Sequence, residues 1–200
     1  MIKTDRTLEG DWHPGTVPNN VTLDPTAYLE TTYSFLRFRS TLPNAVALGR
    51  GASVYKGTMF DVGPNGAVNV GEYALVHSAR IVCDARVHVD DYVLISWGVV
   101  LMDTYRVSTN AERRAIQLSR MVGPMPRCLE SDAVAKPVHI GRGAWIGFES
   151  CILPGVKVGE GAIVGARSVV FNDVEPFTVT AGNPARLVRR LSDGETASGQ

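Results

Sequence analysis

Within Leu101-Met102-Asp103-Thr104-Tyr105-Arg106 a carboxylate, a phenol and a guanidinium fall close together. Asp103 can take a proton if burial raises its pKa, although an aspartate in such a stretch is also a common turn former that bonds local backbone. Tyr105 is a poor base, since an ordinary phenol titrates near ~10, and Arg106 can orient a small molecule or hold its carboxylate. Imidazole suits proton transfer at neutral pH better than any of these. The histidines are His13, His77, His88 and His139, and none lies between Val89 and Pro137. His77 directly follows the aliphatic Val76, so it is either a base or a turn histidine. His88 and His139 each precede an aliphatic residue, Val89 and Ile140, so strand alternation aims them at solvent.

The elements that must position these groups are written in a six-residue period. Ile140, Ile146, Ile152, Val158, Val164 and Val170 recur at every sixth position, which fits neither the 3.6-residue stripe of a helix nor a short alternating strand. A second inward candidate follows each by four residues, at Ala144, Ser150, Val156, Ala162, Ser168 and Val174. Glycine follows the aliphatic residue at Gly141, Gly147, Gly159 and Gly165, where the turn is expected to need conformations costly for other residues. Short strands joined by tight turns cannot bury an apolar face alone, so coils must stack. Read upstream, the period gives Leu23, Leu29 and Phe35; Leu48, Val54 and Phe60; Val70, Val76 and Val82; and Val89, Ile95 and Leu101. With the two later triplets this predicts six three-sided coils.

The expected organisation is an N-terminal cap segment over 1–20, a β-helix domain over 21–182 interrupted by a long loop at 106–137, a short helical cap over 183–192 and a disordered tail over 193–200. Inside the loop, Asn110 to Met121 reads as a helix with an Asn cap, ended by Gly123-Pro124 and Pro126.

The chain has 200 residues, of which 44% are hydrophobic, enough for one sizeable domain. Lys plus Arg equals Asp plus Glu at 20 each, which argues against a large nucleic-acid footprint. Cys83, Cys128 and Cys151 lack the paired spacing of a zinc or redox motif, which favours buried thiols in a reducing compartment. No apolar run approaches the roughly 18 residues of a membrane span and no signal peptide is evident, so a soluble, cytoplasmic protein is expected.

The segment from Val138 onward, V-H-I-G-R-G-A-W-I-G-F-E-S-C-I-L-P-G-V-K-V-G-E-G-A-I-V-G-A-R-S-V-V, with A-G-N-P-A-R at Ala181 to Arg186, closely resembles the last coils and cap of the hexapeptide-repeat acyltransferases. These include galactoside, maltose, serine and xenobiotic O-acetyltransferases. The resemblance implies an all-β fold, a left-handed parallel β-helix, assembled as a homotrimer. It also implies an acetyl-CoA co-substrate in the groove between subunits and a small-molecule acceptor such as a sugar or biosynthetic intermediate. By matching positions, the pantetheine arm would meet Trp145, Phe148, Ala166, Phe171 and Asn172. Arg186 and Arg189, with Arg190 in reserve, would meet the phosphates, which a guanidinium fork suits.

One departure matters. Active members commonly place a histidine after the last coil before the long loop, where this chain has Asp103, Thr104, Tyr105 and Arg106. The resemblance therefore leaves His77, at an acceptor-pocket position one coil earlier, Asp103 and Tyr105 as candidate catalytic groups and Arg106 as a candidate acceptor-binding residue. It also keeps open a non-catalytic scaffold or acyl-CoA-binding protein. A metal enzyme on the same fold is disfavoured: gamma-type carbonic anhydrases pair two histidines as H-x-x-x-x-H, a spacing this chain lacks, and no metal is expected.

Overall fold

The computed structural model describes residues 4–122 and 133–192. The six-residue period folds as a left-handed β-helix of about 7 turns with three flat faces. The first face stacks Val21–Leu23, Val46–Leu48, Ala67–Val70, Arg86–Val89, Val138–Ile140 and Lys157–Val158. The second stacks Tyr28–Leu29, Ser53–Val54, Leu75–Val76, Leu94–Ile95, Trp145–Ile146, Ile163–Val164 and Thr178–Gly182, and Ala185–Arg190 closes its edge. The third stacks Met59–Val62, Arg80–Cys83, Val100–Met102, Cys151–Ile152 and Val169–Val170.

Parallel register puts each aliphatic residue over its counterpart one coil away. Leu23, Leu48, Val70, Val89, Ile140 and Val158 form one column, and Leu29, Val54, Val76, Ile95, Ile146 and Val164 a second. The third column runs Phe60, Ile81, Leu101, Ile152 and Val170. The expected Val82 is thus replaced by Ile81, which is fully buried whereas Val82 is 8% exposed. The turn after Val76 is one residue shorter than the turn after Val54, and Ser78 closes it with a left-handed φ of 49°. Phe35 joins from a 3-10 turn, Thr32–Phe35, and its ring stacks on Phe60 at 5.3 Å. A partial seventh coil extends the six expected: Val174 bridges Val158 and Thr178–Gly182 pairs with Ile163–Val164.

The inward residues four positions on, Ala144 to Val174, are all buried. The two serines among them satisfy their hydroxyls locally, Ser150 and Ser168 both donating to the Gly165 carbonyl at 2.9 and 2.6 Å, as buried polar groups require. The glycines do something other than expected. Left-handed φ falls two positions beyond them, at Gly143, Glu149, Gly161 and Arg167, and at Gly155 after Leu153. Gly141, Gly147, Gly159 and Gly165 instead mark close approach between coils: a Cβ on Gly147 would lie 2.6 Å from Ala166 N and 2.7 Å from Val164 O.

At the start, Leu8 and Val17 close the core, held by Arg6, whose guanidinium donates to the carbonyls of Val17, Pro18 and Val21 at 2.6–2.8 Å. At the other end, the helical cap expected over 183–192 is a strand. Ala185–Arg190 pairs antiparallel with Thr178–Gly182, reversing direction at the cis Asn183-Pro184 bond. The exposed edge of the second face supplies hydrogen-bond partners that local helix propensity cannot match.

The long loop leaves after Val100–Met102 and returns where it left, since Lys136 N–H donates to the Asp103 carbonyl at 2.7 Å. Its helix spans Ala111–Ser119, and Asn110 caps it by accepting from Arg113 N–H. Gly123-Pro124, Pro126, Cys128 and the tail over 193–200 lie outside the described residues. Cys83 is buried and Cys151 half-buried, and burial pushes both thiols up. No helix among the described residues is long and apolar enough to cross a membrane.

The coil contact at Gly147 predicts that Gly147→Ala lowers stability by about 2–3 kcal/mol, the range for forcing atoms into a packed core. Gly143→Ala, with open space around its Cβ and a φ of +66°, should lose only about 1 kcal/mol, from backbone conformation. Urea denaturation midpoints of the two variants check the order.

Candidate active site

The corner between the second and third faces turns just after the aliphatic column, so residues one to three places along the chain from Val54, Val76, Ile95, Ile146 and Val164 are stacked coil upon coil. They build a ladder of planar groups. The Tyr28 and Tyr55 rings lie 5.4 Å apart, Tyr55 and His77 5.4 Å apart, and His77 meets Trp97 edge-on at 6.3 Å. Trp97 then stacks on Phe148 at 5.1 Å and 6°, with the Arg167 guanidinium 5.8 Å above the Phe148 ring. Beside the ladder, Trp145 stands outward on the second face and donates its indole N–H to Ser96 Oγ at 3.2 Å. Trp97 and Trp145 are each about half exposed, giving flat apolar surface with polar edges, a pattern suited to an extended ligand of mixed polarity.

His77 therefore sits among the aromatic groups and is exposed. Asp103 and Arg106 lie at the opposite end of the third face. The strand Arg80–Cys83 runs between the two places, about 13 Å at strand rise, so within one chain His77 and Asp103 do not meet at one reacting atom. Asp103 is fully buried and its oxygens accept from the backbone N–H groups of Asp84, Ala85 and Arg86 at 2.7–2.8 Å. Burial pushes its carboxyl up, against the N–H donors that pull it down. All three donors belong to the adjacent turn of the chain, so Asp103 anchors that turn.

Arg106 is pinned in the same way. It takes a left-handed φ of 56° and buries its side chain, donating from Nε and Nη2 to the Asp84 carboxylate at 2.9–3.1 Å. Nη1 donates to Asp61 Oδ1 and Nη2 to the Asp61 carbonyl at 2.7 Å. Arg80 adds a bond to Asp61 Oδ2 at 2.7 Å. Burial alone would raise the Asp61 carboxyl, but the hydrogen bonds and charges of Arg106 and Arg80 outweigh it and hold it low. Arg106 thus ties down the start of the long loop. Tyr105, beside it, is 53% exposed.

The residues expected to hold the donor divide into two groups. Trp145, Phe148 and Ala166 lie along the ladder side, where Ala166 stacks on Gly147. Asn172 and Arg186 line a groove of about 240 Å³ at the C-terminal end with Thr180 and Leu187. Phe171, next to that groove in sequence, is 53% exposed. Arg186 and Arg189 stand on the closing strand opposite Ala181 and Val179, and Arg190 pairs with Glu175 at 2.6 Å. Tyr55, Trp97 and Arg167 were not among the expected site residues. Their signal is positional: each comes one to three places after the second-face aliphatic residue in its own coil. Asp61 and Asp84 carried no comparable signal, because their partner is 45 and 22 residues away.

Asp61 gives a stability prediction. Because its folded pKa is depressed, its contribution is present above the unfolded value near ~3.9 and lost as pH falls through the folded value. Asp61→Ala should destabilise by about 1.5–3 kcal/mol at pH 7, the range for losing hydrogen bonds to a charged group, since Arg106 keeps the Asp84 carboxylate. It should also flatten the acid limb of a plot of thermal midpoint against pH.

Residues 137–172 match the bacterial transferase hexapeptide (six repeats) family. Over 59 residues, 30% of this chain, it is 48% identical to a chloramphenicol acetyltransferase of Escherichia coli, covering 28% of that protein. The chain thus spans under a third of the length of the curated relatives it matches. Among solved structures, a hexapeptide-repeat-containing acetyltransferase of Vibrio cholerae O1 biovar eltor in complex with acetyl coenzyme A superimposes with a TM-score of 0.58 and 25% identity, over 72% of this chain and 70% of that one. A galactoside acetyltransferase in complex with coenzyme A superimposes with a TM-score of 0.53 and 24% identity, over 90% and 66%.

Proposed function

We propose that this hexapeptide-repeat chain is an acetyltransferase that moves an acetyl group from acetyl-CoA to a hydroxyl or amine of a small molecule. The observation that carries the reading is the 48% identity over 59 residues to a chloramphenicol acetyltransferase, together with the hexapeptide family match over 137–172. The same β-helix in a relative holding acetyl coenzyme A adds support. The ladder through Trp97 and Phe148, with Trp145 beside it, offers stacking surface for the pantetheine arm. The groove at Asn172 and Arg186 offers a guanidinium for phosphate, with Arg189 on the same strand.

His77 is the base in this proposal. Its ring is exposed and adjoins Trp97, which stacks on Phe148, whereas the Asp103 oxygens and the Arg106 nitrogens are engaged within the fold. The acceptor's oxygen or nitrogen attacks the thioester carbon while His77 takes its proton. Backbone N–H groups steady the oxyanion, the C–S bond breaks, and the CoA thiolate leaves and is protonated. Tyr105 then borders the acceptor space from a neighbouring copy, and Asp103 and Arg106 keep the loop in place. A homotrimer fits the helix Ala111–Ser119, which buries no residue within its own chain and leaves Ile116 and Leu118 half exposed.

His77→Ala should lower kcat by about 10²–10⁴-fold, read as free thiol released from acetyl-CoA with a panel of sugars and amines. Asp103→Asn should lower the melting temperature more than the rate. Arg186→Ala should weaken CoA binding by about 1–3 kcal/mol, measured by calorimetry. Tight CoA binding without turnover on any acceptor would leave a CoA-binding scaffold in place of an enzyme.

A further inference from the structure

The outward side of the first face concentrates donor atoms at one place, away from the aromatic ladder. Parallel register sets Asn69 beside His88, His88 beside His139, and His139 beside Lys157. Asp90, two residues after His88, reaches both rings. Its Oδ1 lies 2.8 Å from His88 Nε2 and its Oδ2 lies 2.9 Å from His139 Nε2. The two rings are 5.2 Å apart and tilted by 56°, and one donor atom from each of the three residues lies within 4.8 Å of the others.

We propose that His88, Asp90 and His139 form a binding site for a borderline first-row divalent cation such as Zn²⁺ or Ni²⁺. Imidazole nitrogens with one carboxylate favour such ions over Mg²⁺ or Ca²⁺, which prefer all-oxygen cages. A tetrahedral ion with bonds of about 2.0–2.2 Å sets its donors roughly 3.3 Å apart, close to the present spacing about Asp90. The backbone beneath is held by coil-to-coil hydrogen bonds, Asp90 N–H to Ile140 O at 2.9 Å and His139 N–H to Val156 O at 3.2 Å. The scaffold is therefore assembled before a ligand arrives. Side-chain exposures of 38%, 29% and 45% for His88, Asp90 and His139 leave an open coordination position for water. The ion would take the place of the direct contacts between the rings and the carboxylate. Lys157, next in the row, is the nearest cation in register and stands on a long flexible stem. The histidines are 51 residues apart in sequence, so no short motif announces them; coil register alone brings them together.

The test is calorimetric titration of ZnCl₂ into the chelator-stripped full chain at pH 7.5. One equivalent should bind per chain. His88→Ala, His139→Ala and Asp90→Asn should each weaken binding by more than the roughly 10–100-fold that loss of a merely supporting partner causes. Affinity should fall at acid pH, because protons compete with the ion for its ligands. Circular dichroism confirms that each variant folds, and the visible spectrum of the Co²⁺-loaded chain distinguishes nitrogen and oxygen ligands from thiolates. Absence of binding to the folded wild-type chain overturns the proposal. So does binding that the three substitutions leave unchanged, or a thiolate spectrum, which would place the ion at a cysteine.

Discussion

A coil of this chain is too thin to bury its own aliphatic residues, so each depends on the coil above and the coil below for the removal of apolar area from water. Keeping those columns in register governs the rest of the molecule. The faces are flat because their strands pair in parallel over short lengths, and the corners are tight because a longer turn would throw the next aliphatic residue out of its column. The small residues after the aliphatic positions reflect the same demand: at Gly147 the neighbouring backbone leaves no room for a Cβ. The two ends, where stacking must stop, are where the pattern changes to a segment pinned by Arg6 at one side and an antiparallel strand at the other.

Register also separates what is legible in the sequence from what is not. Column residues such as Ile140, Ile146 and Ile152 are spaced by local geometry, so their period can be read directly. Val82 fits the period yet misses the column, because a one-residue contraction at Ser78 shifts the column to Ile81 while leaving an equally aliphatic residue next to it. The closing strand reads as a helix because Ala185 to Arg190 carries no alternation that betrays a strand; its conformation is set by the open edge of Thr178–Gly182. The role of Arg106 is equally hidden, since its partners Asp61 and Asp84 come from other coils.

The same register organises the chemistry. A residue placed just after an aliphatic position is delivered to a corner, and repetition of that placement turns scattered side chains into a continuous surface. Tyr55, His77, Trp97 and Phe148 share a ladder for this reason, although they span more than ninety residues of chain. His88 and His139 meet by register as well, but as paired mid-strand positions on the first face. The long loop leaves the columns intact because it departs and returns at one point, between Asp103 and Lys136. A solenoid can thus carry a large insertion with little disturbance to its stack, which frees that insertion to vary.

The antiparallel closing strand also bears on association. A parallel stack ending in bare backbone would be a template for a second molecule to continue it. Ala185–Arg190 instead presents an edge running against the coil direction and bearing Arg186, Arg189 and Arg190. Its direction is opposed to the coils, so it does not continue the winding. The strand whose Arg186 could greet an anionic ligand is therefore also the strand that interrupts the winding, closing that face of a repetitive chain.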